Sequence, residues 1–182
     1  MKKVILVSSH KIDEEAVFSA FDEVGMRISL MFLQGVSTGV ENIQLLEEEV
    51  FIAVKNKIHS ALIHLENART DWDYIIAVED GIFYSHMNSQ WFGKVVVGFY
   101  EGCEQREPIY ISASEKSALF PNKFIKETRD VGFNRTTVAR VMFDEGYIDN
   151  PEDPYKSLIG ESRTDLVADE IHKILRLEVD HA

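Results

Sequence analysis

The chain has little of what marks most specialised classes of protein. Only one of its 182 residues, Cys103, is a cysteine. That excludes an intramolecular disulfide and a thiolate metal cluster, and it suits a reducing compartment. No segment approaches the run of about 20 apolar residues that a membrane-spanning helix needs. The start, Met1 to His10, has a basic pair and a short apolar run, but the run is too short for a secretory signal and the acids Asp13 to Glu15 follow at once. A cytoplasmic protein with no membrane partner is the expectation. Basic residues are scarce: 19 Lys and Arg face 31 Asp and Glu, for a formal net charge of -12. This argues against general nucleic-acid binding, which draws on clustered Lys and Arg. An acidic chain that handled phosphates would have to neutralise them locally, with a metal or a few converging cations. Internal repeats and low-complexity tracts are also absent.

What remains is an ordinary globular composition, 45% hydrophobic and 27% charged, which fits one domain over residues 1–182 with a substantial core. Val4 to Ser8 reads as an apolar first strand, and a helix from about Ile12 to Val24 follows a short polar loop. That opening is the usual start of an α/β domain. Arg27 to Leu33 is a second strand. A long helix from Leu46 to about Asn67 carries Val50, Val54, Ile58, Ala61 and Leu65 on one face. Further strands are expected at Asp73 to Glu79, Gln90 to Glu101 and Pro108 to Ala113. Pro121 opens a helix to about Thr128, Asn134 caps another to Glu145, Gly146 to Pro154 is a surface loop, and a last helix runs from Arg163 to Glu178.

The most informative stretch is Asp73 to Ile82, where five consecutive apolar residues run into Glu79, Asp80 and Gly81. A buried strand that ends on acids delivers carboxylates to a site. Hard oxygen ligands of that kind suit Mg²⁺ and an activated water, so Glu79 and Asp80 are the candidate catalytic residues. An equally simple reading makes Asp80-Gly81 a turn and Glu79 a solvated strand end. Glu47, Glu48 and Glu49, in the first turn of the long helix, either complement its dipole or reach the same metal. His59 and His64 are five apart and do not share the i, i+4 face of a zinc helix.

Four segments together carry a family resemblance: Val36-Ser37-Thr38-Gly39-Val40, the helix with Ala53-Val54-Lys55-Asn56-Lys57, the strand end Ala77 to Ile82, and Gly160-Glu161-Ser162-Arg163. In order and approximate spacing the chain resembles the inosine/xanthosine triphosphatases, from residue 3 to about residue 177. That family is itself similar to the house-cleaning pyrophosphatases that remove non-standard purine nucleotides. The resemblance implies an α/β fold with a mixed, twisted central sheet flanked by helices, two lobes and a nucleotide cleft. It also implies a homodimer, for which the exposed half of Gln90 to Glu101 offers an edge. It further implies Mg²⁺ or Mn²⁺ as cofactor and hydrolysis of inosine and xanthosine triphosphates. Glu79, with Glu48 or Glu49, would hold the metal. Ser8, Ser9, His10, Lys11 and Lys57 would face phosphate, and Gly160, Ser162 and Arg163 would line the cleft.

The first loop departs from the family pattern, Thr-x-Asn-x-x-Lys. Ungapped, this chain keeps hydroxyls at Ser8 and Ser9 but has His10 at the Asn position and Asp13 at the Lys position. A carboxylate facing a triphosphate repels it. The alternative expectation is therefore a family member that binds nucleotide, or acts as a regulatory or interaction protein, without turnover.

Overall fold

Residues 1–35, 47–102 and 109–179 are described by the computed structural model. The segment Val36 to Val40 and Cys103 lie outside them. The apolar run after the basic pair forms β1 (Lys2–Val7), buried at every position from Val4 onward. It leads into α1 (Asp13–Glu23), which returns the chain to β2 (Ile28–Leu33). The long amphipathic stretch is α2 (Glu47–Ala68), followed by β3 (Tyr74–Ser85) and β4 (Gln90–Glu101). Two short strands, β5 (Tyr110–Ala113) and β6 (Ala118–Phe120), precede α3 (Asn122–Val131), α4 (Val138–Asp144), α5 (Pro154–Ile159) and α6 (Arg163–Val179).

The result is an α/β fold around a six-stranded mixed sheet in the order β2-β1-β3-β4-β5, with β6 also on β4. β1 is parallel to both β2 and β3, while β3, β4, β5 and β6 are joined antiparallel. Alternation along β3 splits the core in two. Tyr74, Ile76 and Val78 join a cluster with Val17 and Phe21 of α1, Phe124 of α3 and Ile171 of α6. Ile75, Ala77 and Phe83 face Val50, Val54 and Ile58 of α2. Helices thus cover both faces, each buried aliphatic side chain contributing about 1.5–3 kcal/mol. Among the described residues, no helix is long and apolar enough to cross a membrane.

Several expectations need correction. β3 does not end at Glu79. Ile82 and Tyr84 pack on the α1 side of the core, so the strand continues to Ser85 as half of a long hairpin. β4 is not an edge, because β3 holds one side of it and β5 and β6 the other. The cap of α4 is Thr137, whose Oγ1 accepts from the Arg140 amide at 3.1 Å, and not Asn134. α5 occupies a stretch that read only as connection; Asp153 caps it and Pro154 stands in its first turn.

Candidate functional site

β1 and β3 share register only from Val4↔Tyr74 to Val7↔Ala77. Beyond Ala77, β3 continues with β4 alone, so among the described residues its other edge is open. α1 and α2 lie on opposite faces of the sheet and follow β1 and β2, so the connections of these two neighbouring strands diverge. In open α/β sheets, ligands bind in the crevice at such a point, outside the carboxyl ends of the strands. Here the end of β1 and the extension of β3 carry charged side chains on both faces.

On the α1 face, Asp13 is fully buried at the start of α1. Its carboxylate accepts from Arg163 Nε at 2.9 Å, from Arg163 Nη2 at 3.0 Å and from the Ser8 hydroxyl at 2.5 Å. Arg163 is itself 1% exposed. Its remaining nitrogen, Nη1, lies 2.6 Å from Asp80 Oδ1, an ion pair whose N–H is not aligned for a hydrogen bond. The Arg163 amide donates to Asp153 Oδ1 at 2.9 Å. His10 stands at the rim, with Nε2 3.7 Å from Asp80 and Nδ1 3.3 Å from Glu152, and its amide donates to Ser8 Oγ at 3.0 Å.

Burial by itself pushes the Asp80 carboxyl up, but Arg163, then His10 and Lys57, more than offset this and hold it below the ordinary carboxylate range. Burial lowers the Arg163 guanidinium, yet Asp80 and Asp13 outweigh it and keep the group protonated. Tyr155, buried beside them, is pushed well above the ordinary tyrosine value by burial first and by Asp80 second.

Glu79 is on the other face. Its Oε2 lies 2.8 Å from Lys57 Nζ, which also donates to the Val78 carbonyl at 2.6 Å. Lys57 is 5% exposed, so it is not a solvated helix lysine. The two acids that sit side by side in the sequence therefore serve two separate ion networks, one on each face, which meet at the open edge of β3.

Of the remaining sequence-predicted residues, Ser9 and Lys11 are exposed on the loop between β1 and α1. Glu48 is exposed and Glu49 half-buried in the first turn of α2. Eight or nine residues separate them from Lys57, about 12–14 Å of helix, whereas Lys57 is the α2 residue that touches Glu79. It is Glu47 of that turn that reaches the sheet, 2.7 Å from Lys94. Ser162 accepts from the Asp165 amide at 3.0 Å, which makes it a helix cap. Gly160 ends α5 with φ of 79°. Arg163 is a buried clamp and neither lines an open cleft nor lies on the surface. Asp153, Glu152 and Tyr155 were not anticipated as neighbours of the acids; the Asp153-Pro154 pair was the available signal.

Among the described residues, no group of three or more His, Cys, Asp or Glu is arranged to hold a metal. Glu79 nevertheless offers a hard oxygen donor at the crevice. Mg²⁺ and Mn²⁺ fit that donor chemistry, since Mg²⁺ is often held by one or two carboxylates together with substrate phosphates and water.

No protein-family model matches the chain, and no curated protein matches it in sequence. In structure it is similar to protein VC0702 from Vibrio cholerae, known from its crystal structure. The two share 16% identity over 100% of this chain and 97% of that chain, with a TM-score of 0.73. At that identity the likeness is one of fold, and it extends over the whole domain.

Proposed function

We propose that the chain is a metal-dependent phosphohydrolase of non-standard purine nucleoside triphosphates, of the kind its sequence resembles among the inosine/xanthosine triphosphatases. One observation carries the reading: the Lys57–Glu79 pair, 2.8 Å apart, stands where β1 ends and β3 continues with an open edge. Glu79 in that position accepts a hydrogen bond from the attacking water and holds it in line with phosphorus. Lys57 faces the phosphate as a point charge. His10 and Lys11, on the loop above, are within the reach of a polyphosphate that enters from the rim. Mg²⁺ or Mn²⁺, when bound at Glu79, would supply Lewis acidity at phosphorus and neutralise phosphate charge. By the same resemblance the protein works as a cytoplasmic homodimer. With β4 enclosed, β2 is a candidate contact edge.

The test is release of phosphate and pyrophosphate from a panel of purine and pyrimidine triphosphates, with and without Mg²⁺, for wild type and Glu79→Gln. Metal-dependent turnover of inosine or xanthosine triphosphate that Glu79→Gln abolishes is the expected result. Full activity in the variant would remove Glu79 from the mechanism.

A second reading has its own observation. Ser8, Asp13 and Arg163 satisfy one another, so the loop that cradles phosphate in the family is occupied by the protein itself. A member that binds nucleotide without cleaving it follows from that lock. Saturable binding with no product from any nucleotide would select this reading.

A further inference from the structure

On the α2 face the β3–β4 hairpin sets a second cation near Glu79. Glu79 pairs with Val96, and two positions further along the hairpin Gly81 pairs with Lys94. Side chains two apart on a strand share a face. Lys94 therefore stands on the Glu79 side of the sheet, diagonally across from it at about 7–8 Å. Gly81 has no side chain, so nothing on β3 comes between the two. Lys94 also differs from Lys57 in how firmly it is held. The Lys57 side chain is 6% exposed, and its ammonium serves both Glu79 and the Val78 carbonyl. The Lys94 side chain is 23% exposed, and among the described residues its ammonium has one partner, Glu47, at 2.7 Å, whose own side chain is 38% exposed. Water screens such a pair, so it holds weakly and exchanges readily. A phosphate chain carries more negative charge than a single carboxylate and competes well for the ammonium.

We propose that Lys94 binds a phosphate of the substrate and that Glu47 is its resting counter-ion, displaced as the phosphate arrives. The inference rests on the nucleotide reading and deepens it, because it adds a strand β4 residue to the phosphate contacts and gives the first acid of α2 an opposing role. Lys57 stays pinned beside Glu79, while Lys94 exchanges a carboxylate for the ligand. Glu47 and the phosphate compete for one ammonium, so Glu47 weakens binding in the measure that it holds Lys94. Lys94 is a binding residue, and Glu47 acts through it.

The probe is a bis-methylene analogue of inosine triphosphate, whose phosphates are joined by carbon and cannot be parted by water. Calorimetric titration at one fixed Mg²⁺ concentration compares wild type with Lys94→Gln, Lys94→Arg and Glu47→Gln. Lys94→Gln should weaken binding about tenfold or more, the worth of a hydrogen bond to a charged group. Lys94→Arg keeps the cation and should stay within about threefold of wild type, and Glu47→Gln, which frees Lys94 from its competitor, should bind about threefold more tightly. The opposite signs are the signature. A pair that only braces α2 on β4 is broken equally by either Gln variant, so both would move the affinity in the same direction or leave it alone. Should Lys94→Gln fold poorly, Glu47→Gln alone carries the test. Lys94→Gln that binds like wild type, or Glu47→Gln that binds no more tightly, overturns the inference and leaves the nucleotide reading standing. No binding by wild type removes the nucleotide reading, and this inference with it.

Discussion

Arg163→Met tests whether the buried fork holds the domain together. Arg163 joins three parts of the chain: Asp13 at the start of α1, Asp80 on β3 and Asp153 at the cap of α5. Methionine keeps most of the stem and the backbone bond to Asp153 but removes the charge, leaving Asp13 fully buried and unpaired. Breaking a buried pair from one side costs about 3–5 kcal/mol, because the orphaned charge stays desolvated. In a chain of 182 residues, about 2–4 °C of melting temperature accompanies each kcal/mol, so the expected drop is about 6–20 °C. Denaturant titration and thermal melting followed by circular dichroism measure both quantities. The cause is isolated by a second chain carrying Arg163→Met with Asp13→Leu. Replacing both partners by apolar groups is often nearly neutral, so this double variant should recover at least about half of the loss. A single variant within about 1 kcal/mol of wild type would refute the reasoning. So would a double variant no better than the single, since the loss would then not come from the orphaned carboxylate.

Two further outcomes follow from the packing around the site. An ideal Cβ on Gly98 would lie 2.3 Å from Val54 Cγ1 and 2.9 Å from Ile58 Cδ1. Gly98→Ala should therefore cost about 1–3 kcal/mol through overpacking of α2 on β4, measured by denaturant titration. Val54→Ala in the same chain should return part of it, and no return would point away from that contact. Tyr155 has its folded-state pKa raised by burial and by Asp80. The folded protein therefore keeps a proton that the unfolded chain releases above about pH 10. The contribution is complete below that pH and is lost as pH rises past it, so urea midpoints of wild type should fall on the alkaline side. In Tyr155→Phe this fall should be shallower; equal slopes would assign it to other groups.

Legibility in the sequence followed the range of each signal. The apolar face of α2 repeats every three or four residues, so Val50, Val54 and Ile58 were read correctly as one buried stripe. β3 was cut short because Asp80-Gly81 has the chemistry of a turn, while the alternation that resumes at Ile82 and Tyr84 is only two side chains long. α5 is six residues long and too short for periodicity, yet its Asp153-Pro154 start is a capping signature that the surrounding Asp149-Asn150-Pro151 turn obscured. The clamp itself was out of reach. Asp13 and Arg163 are 150 residues apart, and no local pattern marks either as buried; by the resemblance Asp13 reads as a carboxylate facing phosphate and Arg163 as a residue of the cleft. The packing of α1 against α6, through Val17 and Phe21 on one side and Val167 and Ile171 on the other, brings them together.

The fold also separates what the sequence set adjacent. Because side chains alternate along a strand, Glu79 and Asp80 cannot face the same layer, and each has drawn a cation from a different helix. Lys57 comes from α2 and Arg163 from α6. The consequences for the two acids differ. Asp80 faces a guanidinium that is 1% exposed and held by a second carboxylate, so moving Asp80 disturbs the junction of α1, β3 and α5. Glu79 faces one lysine whose ammonium also binds the Val78 carbonyl; it can exchange that partner for a ligand at the cost of a single contact. An acid free to change partners can take part in chemistry, whereas an acid that braces three elements cannot move without loosening them. Under the proposed function, that asymmetry puts reactivity on the α2 face and support on the α1 face. The two faces come together where β1 stops pairing at Val7 and β3 continues with β4.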